Sequence, residues 1–337
     1  MLKNYNFEQI EIAPDIEECL ENAKLELSKK QMILKEKKLP VIVLFEGWGA
    51  SGIGTTLGKV IQNMDPRFYN VETMNKISED EQRRPFLYRY FLRIPENGMA
   101  TFYDHGWMND LTKQYMHQTI SKKTYHQRIK SIQKFERTLV DNSYLVIKFF
   151  FHISRYEQTQ RMHKLLKNKN TKWRVSDEDL YQNKHYEEYL DIYDDYMNAT
   201  NEPYAPWYVI DATNKKLAQL QVLETLMSCI QEHLDHPKQE AALTENVFEM
   251  REMIHLDDYD LSVSISDETY RKELKKCRKK LMKLHNKLYR RKIPVIIAYE
   301  GWDAAGKGGN IKRVTSGLDP RGYTVYPIAA PDKSELN

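Results

Sequence analysis

Short apolar runs alternate with amphipathic stretches over the first 235 residues of the chain. The apolar runs predict buried strands at 41–45, 69–74, 99–103, 144–153 and 207–210. Between them, apolar positions recur every three or four residues, which predicts helices at about 16–38, 52–64, 79–92, 120–139, 157–169, 177–199 and 217–234. Because strands that alternate with helices form parallel sheets covered on both faces, we expect an α/β fold.

A long segment of this pattern occurs twice. Residues 37–71 reappear as residues 291–325, so that Pro40 matches Pro294 and Gly47 matches Gly301 at an offset of 254. A repeat of this length indicates a duplicated domain rather than a solenoid. We therefore expect a complete domain at 1–235, a linker at 236–266, and the N-terminal part of a second domain at 267–337. The second copy reaches about a third of the way through the content of the first, so we expect it to be incomplete.

The second copy contains a phosphate-binding loop. A strand predicted at 295–299 is followed by G-x-x-x-x-G-K and then by a predicted helix. In this context backbone N–H groups converge on phosphate oxygens and the helix N-terminus adds its positive dipole end. The residues expected to form this backbone site are Gly301, Ala304, Ala305, Gly306, Gly308 and Gly309.

Two side chains of this loop carry the candidate chemistry. Lys307 would reach the phosphates and follow their charge during phosphoryl transfer. The Ser or Thr that usually follows this lysine and binds Mg²⁺ is replaced by Gly308. We therefore expect Asp303, inside the loop, to serve as the metal ligand or to orient the attacking phosphate.

The first copy keeps the glycines of the loop but has lost its chemical groups. Gly49 stands at the aspartate position and Ile53 at the lysine position, so we expect no catalysis there. Asp104 directly follows the predicted strand 99–103, where a metal-binding carboxylate belongs. An ordinary aspartate at a strand end is an equally good interpretation of that residue.

Composition excludes several classes of protein. The net charge of +3 is too small to indicate a nucleic-acid or membrane binder, and no apolar run is long enough to span a bilayer. The three cysteines are far apart and have no metal-ligand spacing, which is typical of a reduced chain. We therefore expect a cytoplasmic protein.

One helix departs from this balance of charges. Residues 271–292 contain twelve Lys or Arg and a single acid, Glu273. Two interpretations are open: a face that attracts a polyanion, and a solvated face opposite the apolar stripe. On sequence alone we favour the solvated face.

Several motifs together resemble one known family. Residues 300–313 reproduce E-G-x-D-A-A-G-K-G-G-x-I-K-R, and residues 318–322 reproduce L-x-P-R-G. In the first copy, residues 148–161 resemble K-F-F-L-H-I-x-x-x-E-Q-x-x-R, and Lys172, Trp173, Asp177 and Asp179 resemble a lid segment. On these residues the chain resembles the polyphosphate kinase type-2 family, in particular its tandem-domain members, the polyphosphate:AMP phosphotransferases. One departure is that the family's D-R-S-W is Asp104-His105-Gly106-Trp107 here.

The resemblance implies a P-loop kinase fold with a helical lid, and Mg²⁺-dependent phosphoryl transfer from polyphosphate to AMP, giving ADP. It implies that the C-terminal copy is the active one, with Asp303 and Lys307 as catalytic residues and Arg313 and Arg321 as anion contacts. We also expect a homo-oligomer.

Two other functions stay open on the residues. The first is a non-catalytic module that binds phosphate or nucleotide or serves oligomerisation. The second is an ordinary nucleotide kinase that uses ATP, against which Asp303 and Gly308 argue.

Overall fold

The computed structural model describes residues 1–7, 12–74, 77–235, 257 and 259–328. The chain divides into two compact units, Met1–Thr244 and Glu245–Asn337, called here the first unit and the second unit. The predicted linker at 236–266 lies mostly outside the described residues. The predicted domain boundaries therefore stay a prediction.

A five-stranded parallel sheet forms the centre of the first unit, with the strand order β2-β3-β1-β4-β5. Its strands are β1 (Val41–Gly47), β2 (Tyr69–Thr73), β3 (Ala100–Asp104), β4 (Leu145–His152) and β5 (Trp207–Asp211). All seven residues of β1 are buried, as expected for a central strand with a neighbour on each side and helices on each face. The parallel α/β fold predicted from the hydrophobic pattern is confirmed.

Ten helices in the described part of the first unit surround this sheet. They are α1 (Ile16–Glu36), α2 (Ile53–Val60), α3 (Glu79–Gln82), α4 (Tyr88–Phe91), α5 (Trp107–Met116), α6 (Lys122–Asp141), α7 (Arg155–Lys167), α8 (Asp177–Lys184), α9 (Tyr186–Thr200) and α10 (Lys215–Asp235). α1 packs on α10 through the apolar stripe that the three- and four-residue spacing predicted.

Two of the predicted helices differ from the structure, and one helix of the structure was not predicted. The helix predicted at 79–92 is two short helices, α3 and α4, because Pro85 disfavours helical geometry at the residue before it. The helix predicted at 177–199 breaks at His185, where the chain passes from α8 to α9. The helix α5 was not predicted, although Trp107, Met108, Leu111 and Thr112 form its buried face.

The second unit contains two helices in its described residues, α11 (Asp267–Arg291) and α12 (Lys307–Thr315). The strand predicted at 295–299 is wrong for this structure, since those residues form no strand. Ile296 is 95% exposed, whereas its counterpart Ile42 is fully buried in β1. The physical reason is that a strand needs a neighbour to pair with, and residues 295–299 have none among the described residues of this unit.

Candidate functional site

The loop of the second unit has the backbone geometry of a phosphate nest. Gly301 (φ 152°), Ala304 (φ 61°) and Gly306 (φ 88°) all have positive φ angles. Gly306 is also the N-cap of α12, so the loop runs directly into the positive end of a helix dipole. Left-handed residues before a helix N-terminus turn successive N–H groups toward one point, and such a concave group of donors binds anions.

The lysine of the motif lies over this loop. The Lys307 ammonium donates hydrogen bonds to the carbonyl oxygens of Gly301 (2.7 Å) and Trp302 (2.8 Å). Both acceptors belong to the loop itself. Lys307 therefore places a positive charge next to the N–H donors, as phosphate binding requires.

Two other predicted residues of the second unit, Asp303 and Arg313, lie at the same loop. Asp303 is exposed within it, and a guanidinium nitrogen of Arg313 lies 3.0 Å from the position that a Cβ on Gly309 would take. Arg321 belongs to a short 3-10 turn, Pro320–Gly322, and its side chain falls outside what the structure describes.

The first unit repeats this loop geometry at the offset of 254. Gly47 (φ 145°), Ala50 (φ 62°) and Gly52 (φ 104°) take the left-handed conformations of Gly301, Ala304 and Gly306, respectively. At Gly47 only glycine fits, because a Cβ there would lie 2.5 Å from the carbonyl oxygen of Phe151 on β4. The two loops therefore share a backbone shape and differ in their side chains.

At the lysine position, the first unit has an isoleucine that belongs to its hydrophobic core. Ile53 is only 5% exposed and packs in the same apolar cluster as Leu57 and Val60 of α2. It offers no charge to an anion. The expectation that Ile53 cannot act as a phosphate clamp rests on this burial as well as on its chemistry.

At the aspartate position, the first unit has a glycine on which a side chain of α8 packs. A Cβ on Gly49 would lie 2.2 Å from a carboxylate oxygen of Asp179. The other oxygen of that carboxylate accepts hydrogen bonds from the backbone N–H and the hydroxyl of Ser176, forming a capping box at the start of α8. Asp179 is therefore held over Gly49 and leaves no room for a side chain there.

Several backbone groups of this loop form hydrogen bonds with side chains of the first unit. The Gly49 N–H donates to the Gln182 side chain at 2.8 Å, and Gln158 donates to the Gly49 carbonyl oxygen at 3.2 Å. Arg161 donates to the carbonyl oxygens of Ser51 (2.8 Å) and Ala212 (2.7 Å), which joins the loop to the end of β5. Side chains of α7 and α8 thus cover the loop of the first unit.

The carboxylates next to this loop have different roles. Asp104, at the end of β3, lies 4.0 Å from the position that a Cβ on Gly54 would take, beside the first turn of α2. Glu46 is buried and accepts a hydrogen bond from the Gly106 N–H at 2.9 Å, which caps α5. Among the described residues, no three His, Cys, Asp or Glu side chains lie together as a metal site.

The tryptophan of the loop is fixed in the first unit only. Trp48 stacks on Tyr186 with 4.0 Å between ring centroids and donates from its indole nitrogen to His152 at 2.9 Å. Burial lowers the pKa of His152 to about 4, so its imidazole is neutral at physiological pH and accepts this bond. The counterpart Trp302 is 81% exposed.

The contacts of Asp179 and Gln182 with Gly49 were not predicted from the sequence. Ser176 and Asp179 carry the spacing of a capping box, which signals the start of a helix but not its tertiary partner. Gly49 and Gln182 are 133 residues apart, and no local pattern joins them.

A parallel sheet in which a buried strand leads through a glycine loop to a helix N-terminus defines a P-loop α/β protein. The sequence profile of the family "Polyphosphate kinase 2 (PPK2)" matches residues 13–238 and again residues 264–337. The chain belongs to the polyphosphate kinase 2 family.

Two relatives are similar to nearly the whole chain. A polyphosphate:AMP phosphotransferase of Pseudomonas aeruginosa is 30% identical over 98% of this chain and 68% of its own length. One from Pseudomonas syringae pv. tomato is 32% identical over 96% of this chain and 64% of its own length. The chain therefore spans about two thirds of the length of the curated relatives it matches.

Solved structures agree on the fold. The chain aligns over its full length with 66% of a crystal structure described as a polyphosphate kinase 2 from Pseudomonas aeruginosa, at a TM-score of 0.79 and 26% identity. Polyphosphate kinase 2 from Arthrobacter aurescens gives a TM-score of 0.66 over 69% of this chain and 85% of its own, at 22% identity, and supports the fold alone.

Proposed function

We propose that this chain acts in phosphoryl transfer from polyphosphate to AMP, giving ADP and a polyphosphate shorter by one unit. An oxygen of the AMP phosphate would form a bond to the terminal phosphorus, and the bond to the adjacent bridging oxygen would break. The observation that carries the proposal is the nest of the second unit, with Lys307 bonded across it. The names of the two Pseudomonas relatives support the choice of substrates.

In this proposal Lys307 binds the transferred phosphate and neutralises the charge that develops on it. The backbone N–H groups of the loop bind neighbouring phosphate oxygens, and Arg313, beside Gly309, and Arg321 contribute positive charge. These roles rest on the loop geometry and on the family's motif.

The donor set is compatible with Mg²⁺ as the cofactor. Mg²⁺ is usually held by one or two carboxylates together with substrate phosphates and water, so the exposed Asp303 carboxylate fits as a ligand of an ion that arrives with phosphate. When bound, the ion would supply charge neutralisation at the transferred phosphate.

A second, non-catalytic function is favoured for the first unit. There Asp179 and Gln182 cover the loop and Ile53 is buried, an arrangement that supports a role in packing or oligomerisation rather than in transfer. The proposal thus comprises a complete non-catalytic domain at 1–235 and the loop-bearing part of a second domain at 267–337.

Location and assembly are further parts of the proposal. We place the protein in the cytoplasm as a homo-oligomer. No helix in the described ranges is both long and apolar enough to cross a bilayer.

The test is transfer of labelled phosphate from polyphosphate to AMP by this chain, compared with Lys307→Ala and a matched control, Lys130→Ala, an exposed lysine on α6. We expect Lys307→Ala to lower transfer by about a hundredfold or more, because it removes a charge that acts in the transition state. Lys130→Ala should transfer normally. Absence of transfer by the unaltered chain, or full transfer by Lys307→Ala, would contradict the proposal. A parallel assay with ATP in place of polyphosphate tests the alternative of an ATP-dependent nucleotide kinase.

A further inference from the structure

A continuous row of basic side chains runs along α11. Arg271, Lys275, Lys279, Lys283, Lys287 and Arg291 recur at every fourth position, and all six are exposed. Side chains four apart are neighbours on a helix surface, and each such step advances about 40° around the axis, so the six residues form an oblique ridge that winds roughly 200° around α11 over about 30 Å. We call these six residues the basic row.

The same helical position in the first unit does not carry this charge. The equivalent positions of α1 hold Glu17, Glu21, Leu25, Lys29, Ile33 and Lys37. There Glu21 pairs with Lys24 at 2.6 Å, and Glu17 pairs with Lys216. The equivalent helix of the first unit therefore forms with acids at two of these positions and apolar residues at two others, so a basic residue at every position is not a requirement of the fold.

The positive charge of the basic row is also not paired with acids of its own unit among the described residues. In the described residues α11 makes one ion pair, Lys276 with Glu273, and Lys276 lies outside the row. Like charges four apart destabilise a helix in the absence of counter-ions. An anionic partner would remove that repulsion.

The contacts of α11 within its unit come from residues outside the row. Arg278 donates to the Arg313 carbonyl oxygen of α12 at 3.3 Å, and the His285 ring lies 3.2 Å from the Gly322 carbonyl oxygen. These contacts bring α11 against the helix that follows the Lys307 loop. The basic row remains exposed in the same unit as the phosphate nest.

We propose that the basic row binds linear inorganic polyphosphate, as a holding surface for the part of the chain that is not reacting. This inference rests on the proposed function and adds a second contact region for the same substrate. An extended polyanion can contact successive lysines and release its counter-ions, whereas a single phosphate cannot span the row. Tyr270 and Tyr289 of α11 are also exposed, so single-stranded nucleic acid, whose bases stack on such rings, is the competing partner that the test includes.

The test measures binding of long-chain polyphosphate and of tripolyphosphate to the full chain without AMP. The variant Lys275→Glu/Lys279→Glu/Lys283→Glu is compared with Lys122→Glu/Lys123→Glu/Lys130→Glu, three exposed lysines of α6. We expect the row variant to bind long chains at least about tenfold more weakly and to lose roughly two units of the salt-dependence slope. Tripolyphosphate binding should change by less than about twofold, since it needs only a local anion site.

Two further variants separate this inference from the proposed function. Lys307→Ala should keep long-chain binding while it loses transfer. If the unaltered chain bound long-chain polyphosphate through the row but transferred no phosphate to AMP, the proposed function would fail and this inference would stand. Lys275→Gln/Lys279→Gln/Lys283→Gln removes the same charges without reversing them, so its loss of affinity for long-chain polyphosphate should be smaller than that of the Glu variant. An unchanged melting temperature checks that this variant is folded.

Unchanged long-chain binding by the row variant would overturn the inference, as would an equal loss in the α6 control. Two other results would overturn the inference by indicating a partner other than polyphosphate. One is stronger competition by RNA of equal charge, and the other is loss of self-association in the row variant with polyphosphate binding intact.

Discussion

The same loop position, compared between the two units at an offset of 254, holds a charged residue in one and a core residue in the other. Lys307 lies over its loop and donates to the carbonyl oxygens of Gly301 and Trp302, while Ile53 belongs to the buried face of α2. This difference could be predicted from the sequence, because charge and hydrophobicity are properties of single residues. The contact of Asp179 with Gly49 could not, because it depends on where α8 packs.

The first prediction concerns that contact. Gly49→Ala should lower the free energy of unfolding by about 1–3 kcal/mol, since the added methyl group would overlap the carboxylate that the capping box holds in place. Adding Asp179→Ala to Gly49→Ala should recover part of that loss. Urea denaturation of both variants provides the measurement.

A matched control lies on the adjacent helix. Gly58, inside α2, has open space around the position of a Cβ, and Gly58→Ala should therefore stabilise the protein by about 0.5–1 kcal/mol. If Gly49→Ala were as well tolerated as Gly58→Ala, Asp179 would not restrict the loop.

At the scale of elements, hydrophobic spacing predicted the five strands of the first unit and most of its helices. The errors have local physical causes. Pro85 interrupts a helix that apolar spacing alone would continue, and α5 begins after a turn whose cap, Glu46, lies 60 residues earlier in the chain. The rest of the fold depends on which strands pair with each other. Residues 295–299 are an apolar run with no paired strand among the described residues, and they form no strand themselves.

One pairing between elements is polar and fully buried. The Lys148 ammonium on β4 lies 2.7 Å from a carboxylate oxygen of Glu136 on α6, and neither side chain is exposed. The other oxygen of Glu136 accepts from the Trp107 indole nitrogen at 2.9 Å, and Lys148 also donates to the Thr200 carbonyl oxygen. This network links α5, α6 and α9 to the sheet.

Glu136→Gln should destabilise the protein by about 3–5 kcal/mol, because Lys148 would remain buried without its counter-charge. Asp141→Asn, which breaks the solvent-accessible pair with Arg137 on the same helix, should cost less than about 1 kcal/mol. Thermal and urea unfolding of the two variants compares them directly. Equal losses of stability in the two variants would contradict the larger cost expected for a buried charge. The double variant Glu136→Leu/Lys148→Met, which removes both charges, should restore much of the stability lost in Glu136→Gln.

At the scale of the whole molecule, the two units differ in how much apolar surface they bury. In the first unit, helices cover a core built on a five-stranded sheet. In the second unit, Val295, Ile296 and Ile297 are 57%, 95% and 61% exposed, respectively. The repeat itself was evident from the sequence. The exposure of its second apolar run was not, since a strand was expected there.

This difference predicts how separated pieces behave. A fragment of residues 1–244 should unfold in one cooperative transition and resist proteolysis, because it retains the whole sheet. A fragment of residues 245–337 should be digested rapidly and show no cooperative transition by circular dichroism, because its apolar run has no strand to pair with among the residues that the structure describes. Protease resistance of the second fragment would contradict this expectation.

The matched left-handed residues of the two loops affect how such proteins are classified. Gly47, Ala50 and Gly52 reproduce the φ angles of Gly301, Ala304 and Gly306, so a search by backbone template would accept both loops as nucleotide sites. The side chains at two positions, Ile53 or Lys307 and Gly49 or Asp303, distinguish them. For proteins in which such a loop occurs twice, an inventory based on shape alone would therefore count both loops, whatever side chains they carry.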